Sequence, residues 1–425
     1  MSDLTRAENR ALAAIDPGSI TRALVDLLAV PSVSGTEAEC DVQHLLAKEL
    51  TSLGLDVDLW SMDLAELESA DGFPGTETDR SEAWGLVGTW RGGEDVPGLV
   101  LQGHVDVVPA GDLAHWRSAP FEPVVRAGRV HGRGACDMKA GVVANLAAVR
   151  AIRDSGVRLR DPLAVHLVIG EEDGGLGAFG TLRRGHTGRA CVISEPTSGT
   201  LITGAAGALT FTLQVPGLAT HAATPYAGSS ALDSYVRLHM GFQSLQAERN
   251  RIVDPLMREY PVPYPLVVGR VQAGDWSSSV PDRLVAEGRL GLRMDEDPAQ
   301  ARAELEEVVA VVSEGDPYLR DHPPVVTWSG GQFAGGRLPA GHPLADVVSR
   351  AHADVTGGEV LRERGAPYGS DLRLYQGVGI PTLHYGPGDV RLAHGPEEAV
   401  DLDEVVRVTE ALVLTALRSC GTHES

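Results

Sequence analysis

Positive charge is in short supply in this chain: 36 Lys and Arg stand against 58 Asp and Glu, a formal net charge of -22 over 425 residues. A field of that sign repels polyanions, which argues against nucleic-acid and anionic-membrane partners. Cysteine is scarcer still. Cys40, Cys136, Cys191 and Cys420 form no CxxC pair and no dense framework, so reduced thiols are expected rather than disulfides. No apolar run approaches the roughly 20 residues needed to span a bilayer. Residues 1–16 are polar and contain no signal-peptide core. Internal repeats and heptad arrays are also missing. A cytoplasmic globular protein is the expectation that remains.

A chain of 425 residues with 43% hydrophobic content exceeds one ordinary core, and two domains are expected. Ile20, Leu24, Leu27 and Leu28 recur at helical spacing before Pro31. A second helix is expected from Thr36, where Thr36 and Glu39 have capping-box spacing, with Val42, Leu45, Leu46 and Leu50 buried. Apolar segments at 55–60, 83–90, 99–102, 163–169 and 190–193, with a helix at 141–152, indicate an α/β fold. From about 204 to 329 the pattern changes to long alternating strands with helices at about 229–247 and from Pro298, an inserted α+β domain. Residues 330–425 then return to the first domain, with helices at 342–355 and 402–417 and strands near 360–364 and 382–385. The expected division is therefore 1–203, 204–329 and 330–425.

Five candidate metal ligands lie in separate strand-end contexts, most of them glycine-rich. They are His104 in Gln102-Gly-His-Val-Asp106, Asp137 in Gly134-Ala-Cys-Asp-Met138, Glu172 in Gly170-Glu-Glu-Asp-Gly174, Glu195 in Ser194-Glu-Pro196, and His394 in Ala393-His-Gly395. Carboxylate and imidazole donors without thiolate suit zinc, cobalt or manganese in a hydrolytic site rather than a closed structural zinc site. Cys136, beside Asp137, is better read as a small buried apolar residue.

In their fixed order these motifs resemble, over nearly the whole chain, the dinuclear zinc amidohydrolases that include acetylornithine deacetylase, succinyl-diaminopimelate desuccinylase, aminoacylase and carboxypeptidase G. The resemblance implies a catalytic domain with a mixed, mostly parallel sheet flanked by helices, plus an inserted α+β domain acting as lid and dimerisation module. It implies two divalent metal ions per subunit, zinc with cobalt or manganese as alternatives. Asp137 would bridge them, with His104 and Glu195 completing one site and Glu172 and His394 the other. Glu171 is then general base and acid, and Asp106, two residues after His104, is expected to accept the second imidazole N–H on its carboxylate and fix the tautomer. A cis Asp137-Met138 peptide is implied as well.

His221, in Thr220-His-Ala-Ala-Thr-Pro225, matches a histidine that crosses the interface of a homodimer to hold the scissile carbonyl oxygen. Arg293 matches a lid arginine that grips a substrate carboxylate, and Gly369 and Ser370 match the loop closing round that end. Ser279 stands where many relatives have asparagine, and Gly228-Ser-Ser-Ala231 replaces Gly-x-Asn-Ala. Both departures bear on which acyl group is accepted.

The expected activity is hydrolysis of a small N-acyl amino acid or related N-acyl amine through a metal-activated water. Glu195 favours a deacylase, because the aminopeptidase branch usually has aspartate there. The alternatives are dipeptidase or carboxypeptidase action, and deformylation of an N-formylaminopyrimidine, a branch that the segment Gly274-Asp-Trp-Ser-Ser-Ser-Val-Pro-Asp282 resembles. A catalytically silent homologue is disfavoured, since every ligand and the base are present.

Overall fold

The computed structural model describes residues 4–91 and 96–423; residues 1–3 of the polar leader lie outside that range. Contacts divide the chain into two units. One comprises the described residues of Met1–Gly204, Arg337–Arg364 and Asp371–Ser425, the other Ala205–Gly336 and Gly365–Ser370.

The first unit begins with helices α1 (Arg6–Ala13), α2 (Pro17–Leu28) and α3 (Glu37–Ser52), followed by β1 (Asp56–Ser61), α4 (Leu64–Glu68), β2 (Trp84–Trp90) and β3 (Leu99–His104). A hairpin, β4 (Val124–Arg126) and β5 (Arg129–His131), leads through a distorted turn at Ala135–Lys139 into α5 (Ala140–Asp154), β6 (Leu163–Val168), α6 (Leu176–Arg183), β7 (Cys191–Ile193) and β8 (Leu201–Ala205). The second unit holds β9 (Gly207–Pro216), α7 (Ala231–Arg249), β10 (Leu266–Ala273), β11 (Arg283–Leu292), α8 (Pro298–Glu314) and β12 (Val325–Phe333). The chain continues through β13 (Gly336–Arg337), α9 (Pro343–Thr356), β14 (Glu363–Ala366), α10 (Leu372–Gly377), β15 (Thr382–His384), β16 (Ala399–Asp401) and α11 (Leu402–Cys420).

The main sheet runs β1-β2-β6-β3-β7-β15-β8-β13, with β14 also on β8. Its centre, β6, β3, β7 and β15, is parallel, and β1 and β2 add an antiparallel edge. Every residue of β3 and β6 is buried, the pattern of strands covered on both faces. Helices α5 and α11 pack together, burying Val142, Val143, Val149, Leu412 and Leu417. In such sheets ligand sites form beyond the carboxyl ends of the strands. Here β3, β6 and β7 deliver His104, Glu171-Glu172 and Glu195 to that edge.

The second unit is an antiparallel sheet, β10-β11-β9-β12. Burial alternates along β9 and β11, and Leu209, Phe211, Leu213, Leu284 and Leu290 meet Leu238 and Phe242 of α7 and Leu305 of α8 in one core. The architecture is thus α/β with an inserted α+β unit. Among the described residues no helix is long and apolar enough to cross a membrane.

Two local expectations are corrected. Thr36 does cap α3, but its hydroxyl donates back to the Val33 carbonyl at 2.6 Å and no capping box forms. Glu39 turns inward instead, because Arg80 competes for it: Glu39 receives Nε and Nη2 of Arg80 at 2.9 and 3.0 Å and the backbone N–H groups of Gly35 and Gly170. Leu45 is 47% exposed, since the buried stripe of α3 runs through Val42, Leu46 and Leu50. The reciprocal capping box lies at Thr5 and Glu8, ahead of the short α1.

Arg80 also forks onto Asp173 at 2.7 and 3.0 Å, so one buried guanidinium ties α3 to the loop that carries Glu171 and Glu172. Replacing Arg80 by Ala leaves two buried carboxylates without their cation, which costs about 3–5 kcal/mol. Urea unfolding of Arg80→Ala should show that loss; a change below about 1 kcal/mol, the level of a surface pair, would contradict this role.

Candidate metal centre

His104 closes β3, with its side chain 1% exposed. Nδ1 lies 3.0 Å from the backbone carbonyl of Asp106, an acceptor only, so Nδ1 carries a hydrogen and Nε2 is turned toward Asp137 and Glu195. The expectation that the Asp106 carboxylate takes this N–H is corrected: it stands farther off, 3.6 Å from Nδ1. It is occupied by the Ser34 hydroxyl at 2.9 Å and by the backbone N–H groups of Glu171 and Glu172, both at 3.3 Å. Asp106 therefore acts on two neighbours: its carbonyl orients His104 and its carboxylate fastens the loop after β6.

Asp137 sits in the turn before α5, where its φ and ψ of -118° and 97° break the helix, and the Asp137-Met138 peptide is cis. The turn can approach β7 because Gly141 opens α5; a Cβ there would lie 2.0 Å from the Ser194 carbonyl oxygen. Nε2 of His104 lies 3.3 Å from Asp137 Oδ1, and Nε2 of His394 lies 3.4 Å from Oδ2. Each oxygen of one carboxylate thus faces a different imidazole. Glu195 Oε1 is 3.6 Å from His104 Nε2, and Glu172 Oε2 is 3.0 Å from His394 Nε2. Glu171 joins the cluster too: His104, Glu171 and Glu195, and likewise His104, Asp137 and Glu172, offer donor atoms all within 4.8 Å of one another. In the Glu171 loop, Gly174 has φ of 151° and leaves room for the Gly75 carbonyl, 2.1 Å from where a Cβ would stand.

Electrostatics test whether these residues fit a cation. Burial, reinforced by neighbouring carboxylates, raises the pKa of Glu171, Glu172 and Glu195 above the ordinary carboxylate range. Burial also acts to raise Asp137, but hydrogen bonds from His104 and His394 outweigh it and hold Asp137 low. The same contacts from Asp137 and Glu172 lift His394 to about 10. His104 rises as well, Glu195 and Asp106 overcoming the burial that would lower it. The cluster is short of positive charge, and its carboxylates compete for the few protons available. Divalent cations would relieve that shortage, and the donors are oxygen and nitrogen only. Cys136 does not alter the donor set, for its thiol points to the Asp389 carbonyl at 3.6 Å and burial pushes its pKa up.

The remaining candidates lie in the second unit. His221 is exposed and bridges to Ser279. Its Nδ1 accepts the Ala223 N–H at 3.0 Å, which places the ring hydrogen on Nε2. Arg293 is 37% exposed; Nη1 lies 3.5 Å from Glu296, and Nη2 donates to the Arg249 carbonyl at 3.3 Å. Ser370 is buried, and Gly369 packs so closely that a Cβ would stand 2.3 Å from Phe333 Cβ. Asp371 ends the Gly369-Ser370-Asp371 run matched in the sequence, whereas two side chains of the first unit, Arg133 and Glu398, escaped the sequence reasoning. Asp371, buried and raised to about 6 by that burial, accepts the Gln102 amide at 2.9 Å. Arg133 and Glu398 are buried as a pair.

Nitrogen and oxygen donors converging at the ends of parallel strands, with an additional glutamate among them, define a hydrolase of amide or peptide bonds. The chain belongs to peptidase family M20/M25/M40, whose sequence profile matches residues 100–418. It is 27% identical over 404 residues to the N-formyl-4-amino-5-aminomethyl-2-methylpyrimidine deformylase of Halalkalibacterium halodurans, covering 91% of this chain and 90% of that relative. Succinyl-diaminopimelate desuccinylase of Alkalilimnicola ehrlichii is 30% identical over 403 residues, covering 91% of this chain and 96% of the relative. A di-peptidase from Saccharomyces cerevisiae shares the fold with a TM-score of 0.76 at 15% identity, over 99% of this chain and 100% of that one.

If the cluster takes up cations, metal should stabilise the fold. Zinc or cobalt added to chelator-treated protein at 100 times its dissociation constant should contribute about 2.7 kcal/mol. For a unit of about 290 residues, unfolding with about 2.1 cal/mol/K of entropy per residue, that is a rise in unfolding midpoint of about 4–5 °C. An unchanged midpoint would contradict metal binding here.

Proposed function

We propose that the protein hydrolyses the amide bond of a small N-acyl amino acid or related N-acyl amine, using two divalent metal ions, zinc or its substitutes cobalt and manganese. His104, Asp137 and Glu195 would hold one ion, and Asp137, Glu172 and His394 the other. The observation that carries this reading is the Asp137 carboxylate, whose two oxygens face two different imidazoles at 3.3 and 3.4 Å. When bound, the ions polarise the scissile carbonyl and lower the pKa of water.

Glu171 serves as the base. Glu172 lies 3.0 Å from His394 and Glu195 3.6 Å from His104, and Glu171 stands beside them in the same buried cluster as the additional carboxylate. It takes one proton from water as the water oxygen adds to the acyl carbon. It returns that proton to the amide nitrogen as the C–N bond breaks, releasing an acid and an amine. His221, protonated on Nε2, has the donor that the tetrahedral oxyanion needs.

We assign His221 to the site of a second subunit in a homodimer. Helix α7 exposes Leu232, Val236 and Met240 at four-residue spacing, and the edge strand β10 exposes Val267 and Val271, an apolar face suited to a second copy. Four buried free cysteines accord with a reducing, cytoplasmic setting.

Arg293 is the candidate grip for a substrate carboxylate, with Ser279, Gly369 and Ser370 near the acyl end. A second reading, deformylation of an N-formylaminopyrimidine, is favoured by one feature: Arg293 already has Glu296 and the Arg249 carbonyl as partners. The similarity to a deformylase over 91% of the chain supports the same reading. Turnover of N-acetyl and N-succinyl amino acids, dipeptides and the formylaminopyrimidine, each with zinc or cobalt, separates them; activity on the last alone defeats the first reading.

Glu171→Gln should retain its metal and lose about 10²–10⁴-fold in kcat. Turnover close to that of the unaltered protein would remove Glu171 from the base role. His221→Ala should lose about 10²–10³-fold. Mixing it with Glu171→Ala protein should restore part of the activity through hybrid dimers, and absence of recovery despite subunit exchange would refute a histidine acting between subunits.

A further inference from the structure

Glu398 and Arg133 lie outside the proposed ligand set, yet both are buried, at 0% and 1% exposure. Pairing of β16 with β5 brings them together, and the Gly132 N–H donates to the Glu398 carbonyl at 3.0 Å. The Glu398 carboxylate accepts four donors. Oε1 takes the backbone N–H of Cys136 at 2.9 Å and of Asp137 at 3.1 Å; Oε2 takes the N–H of Gly134 at 3.0 Å and Nη1 of Arg133 at 2.6 Å. Three backbone N–H groups within the four residues from Gly134 to Asp137 therefore hang on one anion.

Arg133 carries the constraint onward. Its Nη2 donates to the His394 carbonyl at 3.2 Å and reaches the Pro109 carbonyl at 3.4 Å, in the loop that follows His104 and Asp106. Its guanidinium also stacks over Trp116, 5.3 Å from the ring centroid. His394 needs such an anchor. Its φ is 60°, a left-handed conformation unfavourable for a residue with a Cβ, and its imidazole is 55% exposed, so little packing holds it.

We propose that Glu398 and Arg133 form a positioning pair that sets Asp137 and His394 at their mutual distance, and so determines the affinity of the second metal ion. The inference rests on the ligand assignment of the preceding section. Glu398 acts on Asp137, which would serve both ions, whereas Arg133 acts chiefly on His394, which would serve one. Outer partners of this kind are worth about 10–100-fold in metal affinity. The two residues therefore differ in the pattern of loss each produces.

Cobalt titration of the chelator-treated full-length protein, followed by visible absorption and calorimetry, tests this. Wild-type protein should bind two equivalents. Arg133→Lys keeps a cation for Glu398 but loses the planar fork, and should weaken one equivalent by about 10–100-fold while the other stays within about threefold of wild type. Glu398→Gln should weaken both, with kcat falling more than KM changes. If Glu398→Gln does not fold, as its melting curve would report, Arg133→Lys decides alone. Two equivalents bound by Arg133→Lys at wild-type affinity overturn the positioning role and leave the ligand assignment intact. No cobalt bound by the wild-type protein overturns both.

Discussion

One carboxylate shared by two imidazoles organises this molecule. Asp137 faces His104 through Oδ1 and His394 through Oδ2, and the two histidines come from chain segments nearly three hundred residues apart. Holding that arrangement takes a buried network. Asp106 fastens the Glu171-Glu172 loop, Arg80 ties the same loop to α3, and Glu398 gathers the backbone around Asp137. So much uncompensated acid in one buried place costs stability unless cations enter.

The parallel centre of the sheet explains why the donors meet. Strands β3, β6 and β7 run side by side, so their carboxyl ends lie at one edge, and residues far apart in sequence emerge there together. The strands are buried throughout, and the candidate donors lie at their ends or on the short segments that follow them. His221 and Arg293, the residues proposed to handle substrate, lie in the separate antiparallel unit.

The residues that the structure gathers into the candidate cluster could be picked out in the sequence because each follows an apolar strand or sits among glycines, and because the order of motifs was specific. Most elements were legible for the same reason: continuous apolar runs for the central strands, alternation for β9 and β11. What escaped had no local pattern. Glu398, in Gly395-Pro-Glu-Glu398, looks like a solvated loop acid, and only the pairing of β16 with β5 buries it. Glu39 had capping-box spacing, yet a guanidinium 41 residues away claimed its carboxylate. Strand β8 and helix α1 are too short for periodicity to speak, and β12 is broken by a register shift between Trp328 and Gln332.

The central claim, that Asp137 is shared between two metal ions, is tested most directly by anomalous diffraction from crystals grown with zinc. The account requires two peaks flanking the Asp137 carboxylate, one beside His104 and Glu195 and the other beside Glu172 and His394. A single peak bound by one oxygen of Asp137 at full occupancy, or metal seated away from these residues, would contradict it.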